Sequence, residues 1–483
     1  MRALAALLLA AVPAAPLAAL DNPTLQQRVE QTLREASPGT RFGLVVATRE
    51  GKELLAIAPD ERFTPASNTK IFTTAAAFAT LPGIAGPDRT SGASVRLERD
   101  RGGALDVVLE GRGDARLSSA PECIANCLAE LADAIAKRTR QVDDVIGDDR
   151  WFPDQRWSPG MSWNNIHTSS GTAISALTLD DNALKLRVVS TAPGQPPRLE
   201  MLPYYRVENL AKTVAGGETE LGFDRLPGSR WVRLTGTIAA GGEPEVLSLG
   251  IDDPAHYAAW RLKALLEERR VRVRGDVGTR HRPAASADDA GQAPAGPPTE
   301  PQPAALARLV PPPLAEDLAI INKDSQNVHA ELLLRRLGRH RGDGSIEAGI
   351  AAVEAMLAKA GLQRAHYDFS DGSGMSTYNR VAPRGTMLLL RWIDAQPWGE
   401  AWRRTLPVAG FDGTLAERFR DSPLKGRLFA KTGTLNATNA LAGYLIARSG
   451  ATLRFAIYAN DVPGGGSATA AMDAALVLVA EQN

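Results

Sequence analysis

Residues 63–81 read FTPASNTKIFTTAAAFATL, and the arrangement of proline, serine and lysine at its start decides what the rest of the chain must supply. Pro65 stands just ahead of an Ala-rich run with helical apolar spacing, a common way to open a helix, because proline presets φ and its missing N–H is not needed there. Ser67 therefore falls in the opening turn. Lys70 lies three residues on, and positions i and i+3 share a helix face. A serine hydroxyl is a weak nucleophile until a base within hydrogen-bond reach takes its proton. Lysine can be that base when desolvation and neighbouring cations keep it neutral. The helix N-terminus adds positive dipole density beside the carbon under attack.

Two later patterns complete the chemistry: Ser325-Gln326-Asn327 and Lys431-Thr432-Gly433. With Ser67-Asn68-Thr69-Lys70 they form an ordered S-x-x-K, S-x-N, K-T-G set. Ser325 can relay a proton to a leaving amine, and Asn327 can orient Lys70 and the substrate amide. Lys431 and Thr432, on a strand beside the cleft, suit a free carboxylate. The amides of Ser67 and Thr434 would form an oxyanion hole. Each motif alone is weak, and the chain holds chance copies: Ser422-Pro423-Leu424-Lys425 and Ser162-Trp163-Asn164. No S-x-N separates Ser422 from Lys431, and its motif contains proline, which spoils a helix. Ser162 lies in a Trp-rich loop. Ser325, by contrast, lies between two helical patterns, LAEDLAIIN and VHAELLLRRLG. The six histidines build no competing plan, and there is no G-x-S-x-G, H-E-x-x-H or Gly-rich phosphate loop. His329 is closest to the site in sequence and is expected on the helix surface or behind the site rather than in the chemistry.

Around these motifs, LQQRVEQTLREA reads as an amphipathic helix with Leu25, Val29 and Leu33 on one face. FGLVVAT and ELLAIA, joined at Glu50-Gly51-Lys52, read as a β-hairpin. From about Ser94, short strands such as SVRLERD, ALDVVLEG, ALKLRVV and RWVRLTGTI alternate with turns, with helices expected near 123–137 and 256–269. The stretch RPAASADDAGQAPAGPPTEPQPAAL has the composition of a linker. The chain closes with strands LFAKTG, NALAGYLIA and LRFAIYAND and an Ala-rich helix.

The complete pattern resembles the D-alanyl-D-alanine carboxypeptidases/endopeptidases among the low-molecular-mass penicillin-binding proteins, the group with a large insertion between S-x-x-K and S-x-N. Ser325 follows Ser67 by 258 residues, and LEGRGDARL, GDDRWFPDQRWSPGMSW, AISALTLDDNAL, DGSGMSTYNRVAPRG and LPVAGFDGTLAERF carry the likeness further. The resemblance implies an α/β (α+β) fold: a penicillin-binding/serine β-lactamase-like domain, an antiparallel sheet flanked by helices. That catalytic domain would comprise residues 20–93 and 284–483. An inserted domain would span 94–178 and 246–283, with a smaller β-rich domain nested at 179–245. Ser67, Lys70, Ser325 and Asn327 are the implied catalytic residues, and Lys431, Thr432, Gly433 and Thr434 the substrate-binding ones. No metal or organic cofactor is called for. The expected partners are peptidoglycan peptides and β-lactam antibiotics. Activities that share these motifs are serine β-lactamase chemistry and non-catalytic wall binding. One departure concerns Trp163-Asn164-Asn165. The family commonly has acidic residues after this tryptophan, and neutral amides attract a diaminopimelate ammonium less.

Composition narrows the partners and the compartment. Lys plus Arg and Asp plus Glu number 55 each, so the basic footprint of a nucleic-acid binder is missing. The opening MRALAALLLAAVPAAPLAAL has the charged start, apolar run and small-residue end of a secretory signal, with cleavage expected near Ala18 or Ala19 (segment 1–19). That run is too short to span a bilayer, so a periplasmic protein is expected. The two cysteines, Cys123 and Cys127, fall in a segment with a helical pattern that would set them a turn apart on one face. Either a local disulfide or two reduced thiols is compatible with that spacing, and the oligomeric state is open.

Overall fold

FGLVVAT and ELLAI pair as the expected hairpin, Arg41–Thr48 with Glu53–Ile57, turning at Gly51 with φ of 97°. The computed structural model describes residues 24–288 and 304–483. The anticipated signal segment at 1–19 and residues 289–303 of the Pro/Ala/Gly-rich stretch lie outside the described residues.

The hairpin joins strands from the far end of the chain. Arg41–Thr48 pairs antiparallel with Thr452–Asn460, and the five-stranded sheet continues through Thr438–Ile446 to the edge strand Leu428–Leu435. Its strands are apolar on both sides because helices cover both faces. Leu44 and Val46 point into one buried cluster, and Val45 and Ala47 into the other. The first cluster is closed by Val29 and Leu33 of the Leu25–Ala36 helix and by the Thr469–Gln482 helix. Thr24 and Gln27 form a capping box that fixes where Leu25–Ala36 begins. The second cluster takes Ile71, Phe72, Ala75 and Ala76 from the Thr69–Thr80 helix, together with helices Ile346–Lys359 and Pro383–Asp394.

Residues 93–277, with Ala307 and Leu309, bury a cluster of their own, under a mixed sheet ordered Val277–Arg282, Val145–Pro153, Leu105–Glu110, Ser94–Arg99, Ala307–Arg308. Between Ala183 and Gly250 the regular elements described are strands, apart from turns. The Asn327–Arg341 helix wedges between the two bodies. Leu334 and Leu337 face the sheet layer, Ala330 and Leu333 face the Leu314–Lys323 helix, and Val328 and Leu332 face Phe152, Ile174 and Ala176 of the middle region. A helix buried on three sides is well held, and its first residue is Asn327.

The cysteine segment departs from expectation. Helix starts at Leu128, not at 123, and Cys127 is its N-cap, with Glu130 accepting from the Cys127 amide. Cys123 lies in the turn before it, and the two are joined as a disulfide, so they do not share a helical face. The missed boundary has a physical cause: the cap uses a cysteine where Ser, Thr or Asp is the usual signal. The expected helix near 256–269 spans Pro254–Glu268, with Asp253 capping the His256 amide.

Candidate active site

Three chain segments more than a hundred residues apart converge at the top of the Thr69–Thr80 helix. Ser67 sits in a 3₁₀ turn, Ala66–Asn68, that runs directly into that helix, so the hydroxyl is partly open while Lys70 behind it is buried. The Lys70 ammonium donates to Ser67 Oγ at 3.0 Å, to Asn327 Oδ1 at 2.7 Å and to the Ser373 carbonyl at 2.6 Å. All three acceptors are neutral. Burial drives its pKa down to about 7, against the opposing pull of the Asp371 and Glu331 carboxylates. A lysine poised there is half neutral near pH 7 and can accept a proton from the serine it touches.

Ser325 lies at φ of 60° in the turn ahead of the Asn327–Arg341 helix, a left-handed conformation that side-chain-bearing residues seldom adopt. Its hydroxyl accepts from Lys431 Nζ at 2.8 Å. The Lys431 ammonium, fully buried, also donates to the Thr432 carbonyl at 3.0 Å. Burial, and then nearby Lys70, hold its pKa well below the usual lysine range. Lys431 therefore stands behind the cleft wall. The side chains that the edge strand turns outward are Thr432, whose hydroxyl donates to Thr414 at 2.7 Å, and exposed Thr434. Gly433 is a close-approach position: a Cβ there would lie 2.7 Å from the Pro65 carbonyl and 3.1 Å from the Ser67 amide nitrogen. The strand can thus draw the Thr434 side of the cleft up against the Ser67 amide. Of the expected residues, Ser67, Lys70 and Asn327 are linked by hydrogen bonds, and Ser325 and Lys431 by another, with Thr432, Gly433 and Thr434 on the same edge strand as Lys431.

Several residues of the site lie outside the three motifs. DGSGMSTYNR supplies the expected tight turn, but the turn is also a wall of the site. Gly374, at φ of 92°, presses on the Ala66 carbonyl, where a Cβ would sit at 1.9 Å. The carboxylate of Glu331, buried, accepts from the Gly372 and Ser373 amides at 3.0 and 2.8 Å, aiming the Ser373 carbonyl at Lys70. Asp371, pushed up to about 6 by burial and by Glu331, accepts from Asn379 Nδ2 at 2.6 Å and the Gly374 amide at 2.9 Å. The Trp-rich loop that holds the decoy Ser162 also borders the site, since Asn327 Nδ2 donates to the Ser170 carbonyl at 2.9 Å. Asn164 is exposed and Trp163 is 65% exposed.

His329 is not a helix-surface residue. It is buried, with Nδ1 on Asp317 and Nε2 on Asp181 at 2.8 Å. Burial alone would lower its pKa, but the Asp317 and Asp181 carboxylates raise it to about 10, so it is an imidazolium at neutral pH. Gln326 donates to the same Asp181 at 3.1 Å. The S-x-N turn is thereby tied to a middle-region turn, Asp180–Asn182, whose three residues are all left-handed.

Residues 25–483 match the D-Ala-D-Ala carboxypeptidase 3 (S13) family. A D-alanyl-D-alanine carboxypeptidase of Actinomadura sp. (strain R39) is 33% identical over 478 residues, covering 95% of this chain and 84% of its own. The chain belongs to this family. As an S13 carboxypeptidase it is a serine DD-peptidase, and the mixed α/β architecture described above is that of its relatives. D-alanyl-D-alanine carboxypeptidase DacB of Haemophilus influenzae is 23% identical, over 90% of this chain and 89% of its own. The crystal structure of penicillin binding protein 4 (dacB) from Haemophilus influenzae superposes with a TM-score of 0.75 at 22% identity, covering 93% of this chain and 97% of that one. The same Haemophilus protein has been solved complexed with a β-lactam, and that structure superposes with a TM-score of 0.70.

Proposed function

We propose that this S13 carboxypeptidase removes the terminal D-alanine of peptidoglycan stem peptides through an acyl-enzyme on Ser67, and that β-lactams acylate the same oxygen. The observation that carries the proposal is the Lys70 ammonium, buried against neutral oxygens and bonded to Ser67 Oγ at 3.0 Å. Neutral Lys70 takes the Ser67 proton as Oγ attacks the carbonyl of the penultimate D-alanine. The oxyanion is held by the Ser67 and Thr434 amides, with the positive end of the helix behind it. The proton returns through Ser325, which Lys431 steadies, to the leaving amine, and D-alanine departs. Water then attacks the ester, Lys70 again serving as base, and Ser67 is regenerated. Asn327 holds Lys70 in reach and presents its amide to the substrate backbone. The terminal carboxylate is met by the hydroxyls of Thr432 and Thr434, with the Lys431 charge behind them rather than in contact.

A cross-linked peptide differs only in carrying a longer amine-side leaving group, so endopeptidase action belongs to the same proposal. We assign catalysis to a discontinuous domain, 20–93 with 284–483. An inserted domain, 94–178 with 246–283, and a nested β-rich domain, 179–245, supply the Ser170 and Asp181 contacts. Cleavage of residues 1–19 as a signal and a periplasmic location fit an enzyme of wall peptides. Among the described residues no helix is long and apolar enough to cross a membrane. D-Alanine release from diacetyl-L-lysyl-D-alanyl-D-alanine tests the proposal. The wild type should release it and Ser67→Ala should not; release by Ser67→Ala at the parent rate would assign the chemistry to another group.

A further inference from the structure

The two helices that carry Lys70 and Asn327 run away from the active site and end beside the same cavity. Leu81 follows the Thr69–Thr80 helix, and Arg336 and Arg339 lie toward the end of the Asn327–Arg341 helix. At 1.5 Å per residue this cavity lies about 14–18 Å from the catalytic centre. Its volume is about 430 Å³, with the middle region closing the opposite wall through Arg112 and Trp151.

The chemistry of its lining is uneven in a specific way. Leu81, Ile84 and Leu314 supply apolar surface, while four arginines, Arg89, Arg112, Arg336 and Arg339, stand at the wall. Asp88 is the one carboxylate in the lining. It is already engaged: burial would raise it, but Arg336 and the Thr90 and Ser91 hydroxyls hold it at about 2. Arg112 gives its Nε to Glu110 at 2.7 Å, and its terminal nitrogens meet no acceptor among the described residues. Among the described residues, Arg339 donates a hydrogen bond only to the Gly342 carbonyl, at 3.4 Å. Both guanidinium groups rest on the Trp151 ring, 4.8 and 4.3 Å from its centroid, which holds them at a set distance from one another. Arg89 is exposed and has no partner among the described residues. Positive charge therefore exceeds negative charge around a half-enclosed apolar floor, and the guanidinium forks match planar carboxylates.

We propose that this cavity is a second, non-catalytic site that binds a carboxylate-bearing stem peptide of the wall polymer. The proposal rests on the peptidoglycan specificity argued above. An apolar floor beneath the guanidinium groups suits an aliphatic peptide with carboxylates better than inorganic phosphate, which has no apolar surface to place on Leu81, Ile84 and Leu314. Occupancy would hold a neighbouring strand of wall against the enzyme while the cleft works on another.

Calorimetric titration with the tripeptide L-alanyl-γ-D-glutamyl-meso-diaminopimelate tests this, because the tripeptide has carboxylates but no D-alanyl-D-alanine bond. The cleft is first blocked with benzylpenicillin. Saturable binding should persist in the acylated protein, and Arg112→Gln and Arg89→Glu should each weaken it at least about tenfold. Arg89→Glu alters an exposed loop and leaves the fold intact, and neither variant should change acylation of Ser67. No binding to the acylated protein, undiminished binding in both variants, or tighter binding of inorganic phosphate than of tripeptide would each overturn the proposal. Failure of benzylpenicillin to acylate would count against the serine chemistry alone. The same variants titrated without the drug would then decide the distal site.

Discussion

Lys70 is buried, touches three neutral oxygens and has no carboxylate within hydrogen-bond distance. Such a lysine releases its proton easily, and this sets the pH behaviour of the enzyme. With a pKa near 7, kcat/KM should climb about tenfold per pH unit below 7 and level off above it. A pH–rate profile with its rising limb near 10 would mean that burial does not lower the Lys70 pKa in the working enzyme. Lys70→Met should abolish acylation while leaving the fold in place, since it replaces a buried chain by an apolar one. Lys431 acts from farther back, holding Ser325 and adding charge behind Thr432. Lys431→Ala loses a hydrogen bond made by a charged group, about 1.5–3 kcal/mol, or roughly ten- to a hundredfold in kcat/KM. A change of less than twofold would mean the strand charge does not act on the reaction. Both lysines were legible in the sequence because their motifs are short and ordered. Glu331, Asp371 and the Ser373 carbonyl were not, because their roles depend on amides and burial that no local pattern records.

At the scale of elements, the S-x-N turn is held by its anchor. The buried imidazolium of His329 lies between Asp317 on the preceding helix and Asp181 on the middle region, and Gln326 shares Asp181. Its folded pKa of about 10 exceeds the unfolded value near 6.5. The stability it contributes is therefore complete below about pH 6.5 and is lost as pH rises through about 10. His329→Gln should cost about 3 kcal/mol near pH 6, because it leaves two carboxylates facing one another without a cation. The same substitution should cost under about 1 kcal/mol above pH 10. Denaturant unfolding of both proteins at the two pH values checks this, and a cost independent of pH would show that the imidazole works by shape alone. Sequence periodicity located the Asn327–Arg341 helix but not this role, since Asp181 is remote in sequence and sits in a left-handed turn. The Leu128 helix start was obscured for a different reason, a cysteine standing where a hydroxyl or carboxylate cap is the usual sign.

Across the whole molecule, the central sheet is built from both ends of the chain, with Arg41–Thr48 between Glu53–Ile57 and Thr452–Asn460. That topology lets nearly two hundred residues follow Ser94 without disturbing the sheet, and it explains why S-x-x-K and S-x-N are far apart in sequence yet joined by a 2.7 Å hydrogen bond. The ordered motifs and the hairpin made this architecture legible. What they left open is the seam between the two bodies, where side chains from 151, 174 and 181 meet the Asn327–Arg341 helix. This arrangement should make Ser67 an acylating nucleophile. Intact-mass spectrometry after incubation with benzylpenicillin tests it most directly. A one-to-one adduct of the full drug mass should form on Ser67 and persist for minutes or longer, with none on Ser67→Ala. An unmodified wild-type protein, or an equal adduct on Ser67→Ala, would contradict it.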